Sequence, residues 1–200
     1  VDAAAIVEVA CTVWSNLCMT ADVRSIERRG RRARLLVHGG TGGIGSFAIQ
    51  LINAAGGQNI ADEIIPGESG TITPEKVLES DPDMVIATGG DWSEMKDDEG
   101  HPVGYAAVGY GIDEKEAKGS VAKLPGKQAG FDKLRAVKEH HLHSMWHQFY
   151  DSPFNYLALL QVAEWIDPEA YADMDVAKQW MDAQEKYSPV SGEGTFFSTN

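Results

Sequence analysis

Apolar and polar positions along the chain switch repeatedly between a helical period and short continuous apolar runs. Residues 2–20 place Ala5, Ile6, Val9, Val13, Trp14, Leu17 and Cys18 at helical spacing, which predicts an amphipathic helix. A charged turn at Arg24–Gly30 stops at glycine, and Arg34–His38 reads as a first strand, with Leu35, Leu36 and Val37 buried. Gly39, Gly40, Gly42, Gly43 and Gly45 then make a tight turn that opens a helix at Ile44–Ala55, ended by Gly56-Gly57. Asn59–Ile65 is at best a brief second strand. Thr73-Pro74-Glu75 has the cap and first-turn proline of a helix start, and that helix runs to Ser80. After the turn Asp81-Pro82-Asp83, the apolar run Met84–Thr88 is the kind of strand that parallel sheets bury on both faces.

Downstream, Gly89–Gly111 is rich in Gly, Asp and Glu and reads as a long loop, with Asp97-Asp98-Glu99 a solvated acidic turn. Helices are expected at Asp113–Leu124, Phe131–Lys138, Phe154–Ile166 and Asp175–Tyr187, a strand at Leu142–Trp146, and a polar tail at the end. Strands alternating with helices predict a doubly wound α/β fold: a three-layer, Rossmann-like lobe with a mainly parallel sheet of about four strands and flanking helices. At 200 residues with 43% hydrophobic side chains, the chain has enough apolar material for one such domain over 1–200.

Charge changes the picture in one respect. The formal net charge is -13, yet residues 1–50 hold six arginines against four acids, while residues 51–200 hold eleven basic and twenty-six acidic residues. All six early arginines lie between Arg24 and Arg34, without a second basic cluster, so a solvated helix end explains them better than a nucleic-acid patch. The shift in composition suggests two different histories for the two ends of the chain. No run approaches the ~20 apolar residues of a membrane span, and the first residues lack the basic flank of a signal peptide, so a cytoplasmic location is expected if the chain is expressed as given. Cys11 and Cys18, two helical turns or ~10 Å apart on one face, cannot bridge each other and read as buried thiols. An exposed Val9, Val13, Trp14 and Leu17 stripe would favour a homodimer.

Two stretches carry chemistry. Gly40-x-Gly42-x-x-Gly45 lies between a strand and a helix, the setting in which free helix N–H groups cradle a phosphate or dinucleotide. Gly40, Gly42, Gly43, Ile44 and Gly45 are the cofactor-binding candidates, with Asp62 or Glu63 near the position expected to hold a ribose hydroxyl. Similar glycine turns also occur in doubly wound folds that bind no nucleotide. Trp92, at the carboxyl end of one strand, and Trp146, His147 and Tyr150, at the end of another, are the ligand-binding candidates, since open α/β sheets bind ligands there. Packing of the lobe edge is the simpler explanation of the same aromatics. His140, His141, His143 and His147 lack cysteines or carboxylates at ligand spacing, so no metal site is assigned beyond adventitious capture. No Ser-His-Asp or Cys-His pattern has supporting context, and Ser46 is not in a nucleophile elbow, so no catalytic residue is assigned.

Two family resemblances follow from these motifs, in chain order. Residues 8–21, EVACTVWSNLCMTA, and 35–51, LLVHGGTGGIGSFAIQL, resemble the segment entering the cofactor domain of zinc-independent quinone oxidoreductases of the medium-chain dehydrogenase superfamily. That resemblance implies an NADP phosphate loop. From about Ala54 onward the chain is similar to the C-terminal lobe of periplasmic substrate-binding proteins of iron-complex ABC transporters. The stretches TITPEKVLESDPDMVIATGGDW and HSMWHQFYDSPFNYLALLQVAEWIDPEAY carry this likeness. It implies a periplasmic ancestor, a small-molecule ligand such as a chelated metal, and a cleft faced by Trp92, Trp146, His147 and Tyr150. The combined expectation is an engineered or recombined chimera, residues 1–55 from one parent and 56–200 from the other, without catalytic activity. The alternative is a residual NAD(P)- or phosphate-binding module. No nucleic-acid partner is expected.

Overall fold

In the computed structural model, residues 34–37, 58–59, 72–92, 105–127 and 129–200 are described. The expected helix at 2–20 with Cys11 and Cys18, the arginine-rich turn, the glycine turn with Gly40, Gly42, Gly43, Ile44 and Gly45, the helix at 44–55, and Asp62 and Glu63 lie outside them. So does the acidic turn at 97–99.

The described strands are β1 (Arg34–Val37), β2 (Gln58–Asn59), β3 (Met84–Gly89), β4 (Gly109–Tyr110), β5 (Leu142–Trp146), β6 (Gly194–Thr195) and β7 (Phe197–Thr199). Five of them form a mixed sheet in the order β2-β1-β3-β5-β7, and β4 pairs with β6 in a separate ribbon. β1 runs parallel to β2 and β3, and β3 runs parallel to β5. β7 closes the edge antiparallel to β5.

The architecture is α/β, and both faces of β3 show why. Met84 and Ile86 point into a cluster with Met145, Phe149, Leu157, Val162, Val176 and Trp180. Val85, on the opposite face, packs with Leu142, Val77, Val121, Leu134 and Ala136. A strand apolar at every position can satisfy that pattern only between two layers of helix.

The helices are bounded as their cap residues dictate. In α1 (Pro74–Ser80), Thr73 accepts from the Lys76 amide at 3.4 Å and proline occupies the first turn. In α2 (Glu114–Val121), Asp113 accepts from the Glu116 amide at 2.8 Å, and Pro125 helps to end the segment in a 3-10 turn, Leu124–Lys127. α3 (Arg135–Lys138) is tied to the turn before β3, because Asp81 accepts from the Arg135 amide at 3.1 Å and the Arg135 guanidinium meets Asp83 at 2.7 Å. α4 (Asn155–Ile166) buries seven consecutive residues, Leu157 to Ala163, as a helix apolar all round must. α5 (Val176–Tyr187) buries one stripe, Val176, Trp180, Ala183 and Gln184.

Three expectations are corrected. Among the described residues the sheet has five strands rather than about four, because the expected polar tail supplies β7, with Phe196 and Ser198 buried and Phe197 half-buried. Its three residues are too few for a periodic signal. The expected loop at 89–111 ends in buried extended chain, with Ala106, Ala107 and Val108 in the core before β4. The helix expected at Phe131–Lys138 is split into a 3-10 turn, Phe131–Lys133, and α3, since Leu134 adopts an extended ψ of 138° that buries its side chain. The second strand is described at Gln58–Asn59, and residues 60–65 of the expected Asn59–Ile65 lie outside the described residues.

At the far edge, Asn200 extends the β7 pairing. Its amide donates to the Leu142 carbonyl at 3.0 Å, its side-chain oxygen accepts from the Leu142 amide at 3.2 Å, and its side-chain nitrogen donates to Val137 O at 2.9 Å.

The returning chain at Ala106 lies so close to β3 that a Cβ at Gly89 would collide with the Ala106 carbonyl oxygen. Gly119, inside α2, has open space around it. Gly89→Ala is therefore expected to cost about 1–3 kcal/mol, and Gly119→Ala to add about 0.5–1 kcal/mol, in urea unfolding followed by far-UV circular dichroism.

Candidate functional site

β3 and β5 are neighbours in register, with Gly89 opposite Trp146, so the chain leaves both strands at the same edge. Two glycines shape the first exit. Gly89 admits the returning segment, and Gly90 donates its amide to Ala106 O at 3.0 Å. A Cβ at Gly90 would stand 2.9 Å from the Trp92 indole nitrogen, so glycine there lets the indole fold back over its own backbone. The second exit is a 3-10 turn, His147–Asp151, which starts directly after β5.

These exits bring three rings together. Trp92 meets His147 edge-on with centroids 5.6 Å apart and lies 6.4 Å from Tyr105 at a tilt of 54°. All three are half-buried. The Tyr105 phenol is pushed above its usual pKa, first by burial and then by the carboxylates of Asp91 and Glu116. Gln148, next to His147, has a buried Oε1 with no hydrogen-bond partner among the described residues. The arrangement offers aromatic faces and an imidazole at the carboxyl end of a parallel pair.

Of the ligand candidates read from the sequence, Trp92 and His147 come together. Trp146 belongs to a second cluster, with Tyr110 at 5.2 Å, Phe196 at 5.3 Å, Phe149 at 5.5 Å and Trp180 at 6.1 Å. The Tyr150 side chain lies outside the described residues. Tyr105 is not among those candidates. The run Tyr105–Val108 was the available signal for Tyr105, since an apolar stretch ending a long loop has to pack somewhere.

The histidines go separate ways. His140 Nδ1 lies 3.1 Å from Asn200 O, and His141 Nδ1 lies 3.1 Å from Asp83 O. His143 is buried, 2.9 Å from the Thr199 hydroxyl and stacked on Trp165 at 4.3 Å. Among the described residues no group of three or more His, Cys, Asp or Glu could hold a metal ion. A groove of about 440 Å³ lined by Leu78, Asp81, Arg135 and Glu139 lies before β3 and β5, at the end opposite the aromatic corner, and part of its lining is ion-paired. No helix among the described residues is long and apolar enough to cross a membrane.

No protein-family model matches the chain. Over 60 residues it is 43% identical to reticulon-4-interacting protein 1, mitochondrial, of Caenorhabditis elegans, a match covering 30% of this chain and 16% of that protein. Among solved structures it is similar to the TroA-like periplasmic binding protein FepB of Veillonella parvula, with a TM-score of 0.73 and 20% identity over 96% of this chain and 55% of that one. It is also similar to the molybdate periplasmic binding protein MolA of Haemophilus influenzae, with a TM-score of 0.57 and 18% identity over 94% of this chain and 51% of that one. The fold is thus that of periplasmic solute-binding proteins, and the chain spans about half the length of these structures.

Burial, reinforced by the charge of His141, pushes the His143 imidazole down to about 3. Between that value and the ordinary value of about 6.5, the unfolded chain binds a proton that the native chain does not. Stability should therefore fall as pH drops below about 6.5, by on the order of 1 kcal/mol per pH unit. Urea unfolding of the wild type and of His143→Gln at about pH 7 and about pH 5 checks this. The wild type should lose more stability than the variant by on the order of 2 kcal/mol.

Proposed function

We propose that the chain is a solute-binding lobe of recombined or engineered origin, with an oxidoreductase-like segment at residues 1–55 and a lobe of iron-complex ABC-transporter binding-protein type at 56–200. Its role is binding rather than catalysis, its ligand is a small metal chelate, and its larger parent is periplasmic. The observation that carries the reading is the aromatic corner of Trp92, Tyr105 and His147 at the carboxyl ends of adjacent parallel strands. It occurs in a chain similar to a TroA-like binding protein over 96% of its length. The recombined origin draws support from the two comparisons pointing to different proteins, and from the parallel pairing of β1 with β3. A one-sided site covers less of its ligand than a closed cleft, so affinity is expected in the millimolar to high-micromolar range, roughly 4–6 kcal/mol.

Titration with ferrioxamine B, a ferric trihydroxamate, tests the reading through tryptophan fluorescence. The chain has five tryptophans, so Trp92→Phe serves as the control. Saturable quenching that is lost in the variant is expected, and a flat response in the wild type overturns the reading.

A second reading is a residual NADP- or phosphate-binding module at Gly40, Gly42, Gly43, Ile44 and Gly45. It is favoured by the 43% identity over 60 residues and by the placement of β1, whose carboxyl end leads into the glycine run, between β2 and β3. Strand order reverses at β1, where open α/β sheets take dinucleotides. Isothermal titration with NADPH should give heat with a dissociation constant of about a millimolar, and no heat at that concentration removes this reading.

A further inference from the structure

The seam between β5 and β7 holds a buried ionisable group that the proposed binding site does not use. In register, His143 stands opposite Thr199 and Ser144 opposite Ser198. His143 is 5% exposed, its Nδ1 lies 2.9 Å from the Thr199 hydroxyl, and its ring stacks on Trp165 of α4 at 4.3 Å. Its Nε2 is buried without a hydrogen-bond partner among the described residues. β3 presents Ile86 to it in register, and the titratable group facing it is His141, whose nearly parallel ring lies 6.5 Å away. On the opposite face of the seam, the Ser144 and Ser198 hydroxyls are buried, also without partners among the described residues. β7 is three residues long, with an imidazole beneath one face and unsatisfied hydroxyls beneath the other. Its upstream neighbour Phe196 is anchored firmly, packed on Trp180 at 4.2 Å and on Tyr110 at 4.9 Å.

A neutral imidazole suits this place because one of its nitrogens needs no acceptor. An imidazolium does not, since both nitrogens carry protons, Nε2 has nothing to donate to, and a charged His141 repels it. The face of Trp165 attracts the cation and offsets part of that cost. The strand tip does not share this sensitivity, because His140 Nδ1 donates to Asn200 O in either protonation state. We propose that His143 is an acid-sensitive latch: its protonation releases Phe197–Asn200 from the edge of β5, hinged at Phe196, while the rest of the sheet stays folded. The latch goes beyond a loss of overall stability with pH, because the opening is confined to one edge.

Native-state hydrogen exchange of the full chain, followed by NMR at about pH 7 and about pH 5 and corrected for intrinsic rates, tests this. The amides of Leu142 and Asn200 bond across the latch and report its opening. Those of Trp146, bonded to Phe196 O, and Val85, bonded to His141 O, report the hinge and the core. Protection at Leu142 and Asn200 should fall about 10–25-fold between the two pH values, as for an imidazole that titrates normally once released, and should not respond to low urea. Trp146 and Val85 should stay better protected and respond to urea. In His143→Gln, with its fold checked by circular dichroism, the pH step should vanish. Unchanged protection in the wild type, or a fall that tracks Val85 in both pH and urea, overturns the latch whether or not the variant folds. A pH step that survives in a folded His143→Gln overturns it as well.

Discussion

The parallel pairing of β3 with β5 is the constraint from which the rest follows. Five residue pairs, from Val85 with Leu142 to Gly89 with Trp146, hold the two strands in register. Each strand is apolar enough to need cover on both sides, which forces α4 and α5 onto one face and α1, α2 and α3 onto the other. The same pairing aligns the two strand ends, so the side chains that follow each strand meet without further design. The corner is thus a by-product of core formation, and its geometry is as secure as the register beneath it.

Trp146 shows how finely that register divides labour. It is the last residue of β5 and stands opposite Gly89, yet its ring turns to Tyr110, Phe149, Trp180 and Phe196 and not to Trp92. The ribbon of β4 with β6 brings Tyr110 and Phe196 to that place. His147, one residue later, faces the other way and reaches Trp92. Two aromatic groups therefore coexist at one sheet edge, one consolidating the core and one partly open to solvent.

Much of the lobe was legible because its residues state their boundaries. Thr73-Pro74, Asp113 and Asp175 mark helix starts that the structure uses, and Met84–Thr88 and Leu142–Trp146 announce buried strands. What escaped was set by partners distant in the chain. Phe197–Thr199 becomes a strand only because β5 offers an open edge, and Leu134 leaves helical geometry to pack with Val77 of α1 and Val85 of β3. In the site, Trp92 and His147 were legible from strand polarity alone. Tyr105 was not, since its place depends on the close return of the chain past Gly89.

The short β7, extended by the hydrogen bonds of Asn200, acts as a seal on the molecule. Beneath it lies β5, a central strand with Ser144 wholly buried and a ladder of main-chain groups that would otherwise face solvent. Without this segment an interior strand would become an adhesive margin, ready to template another chain.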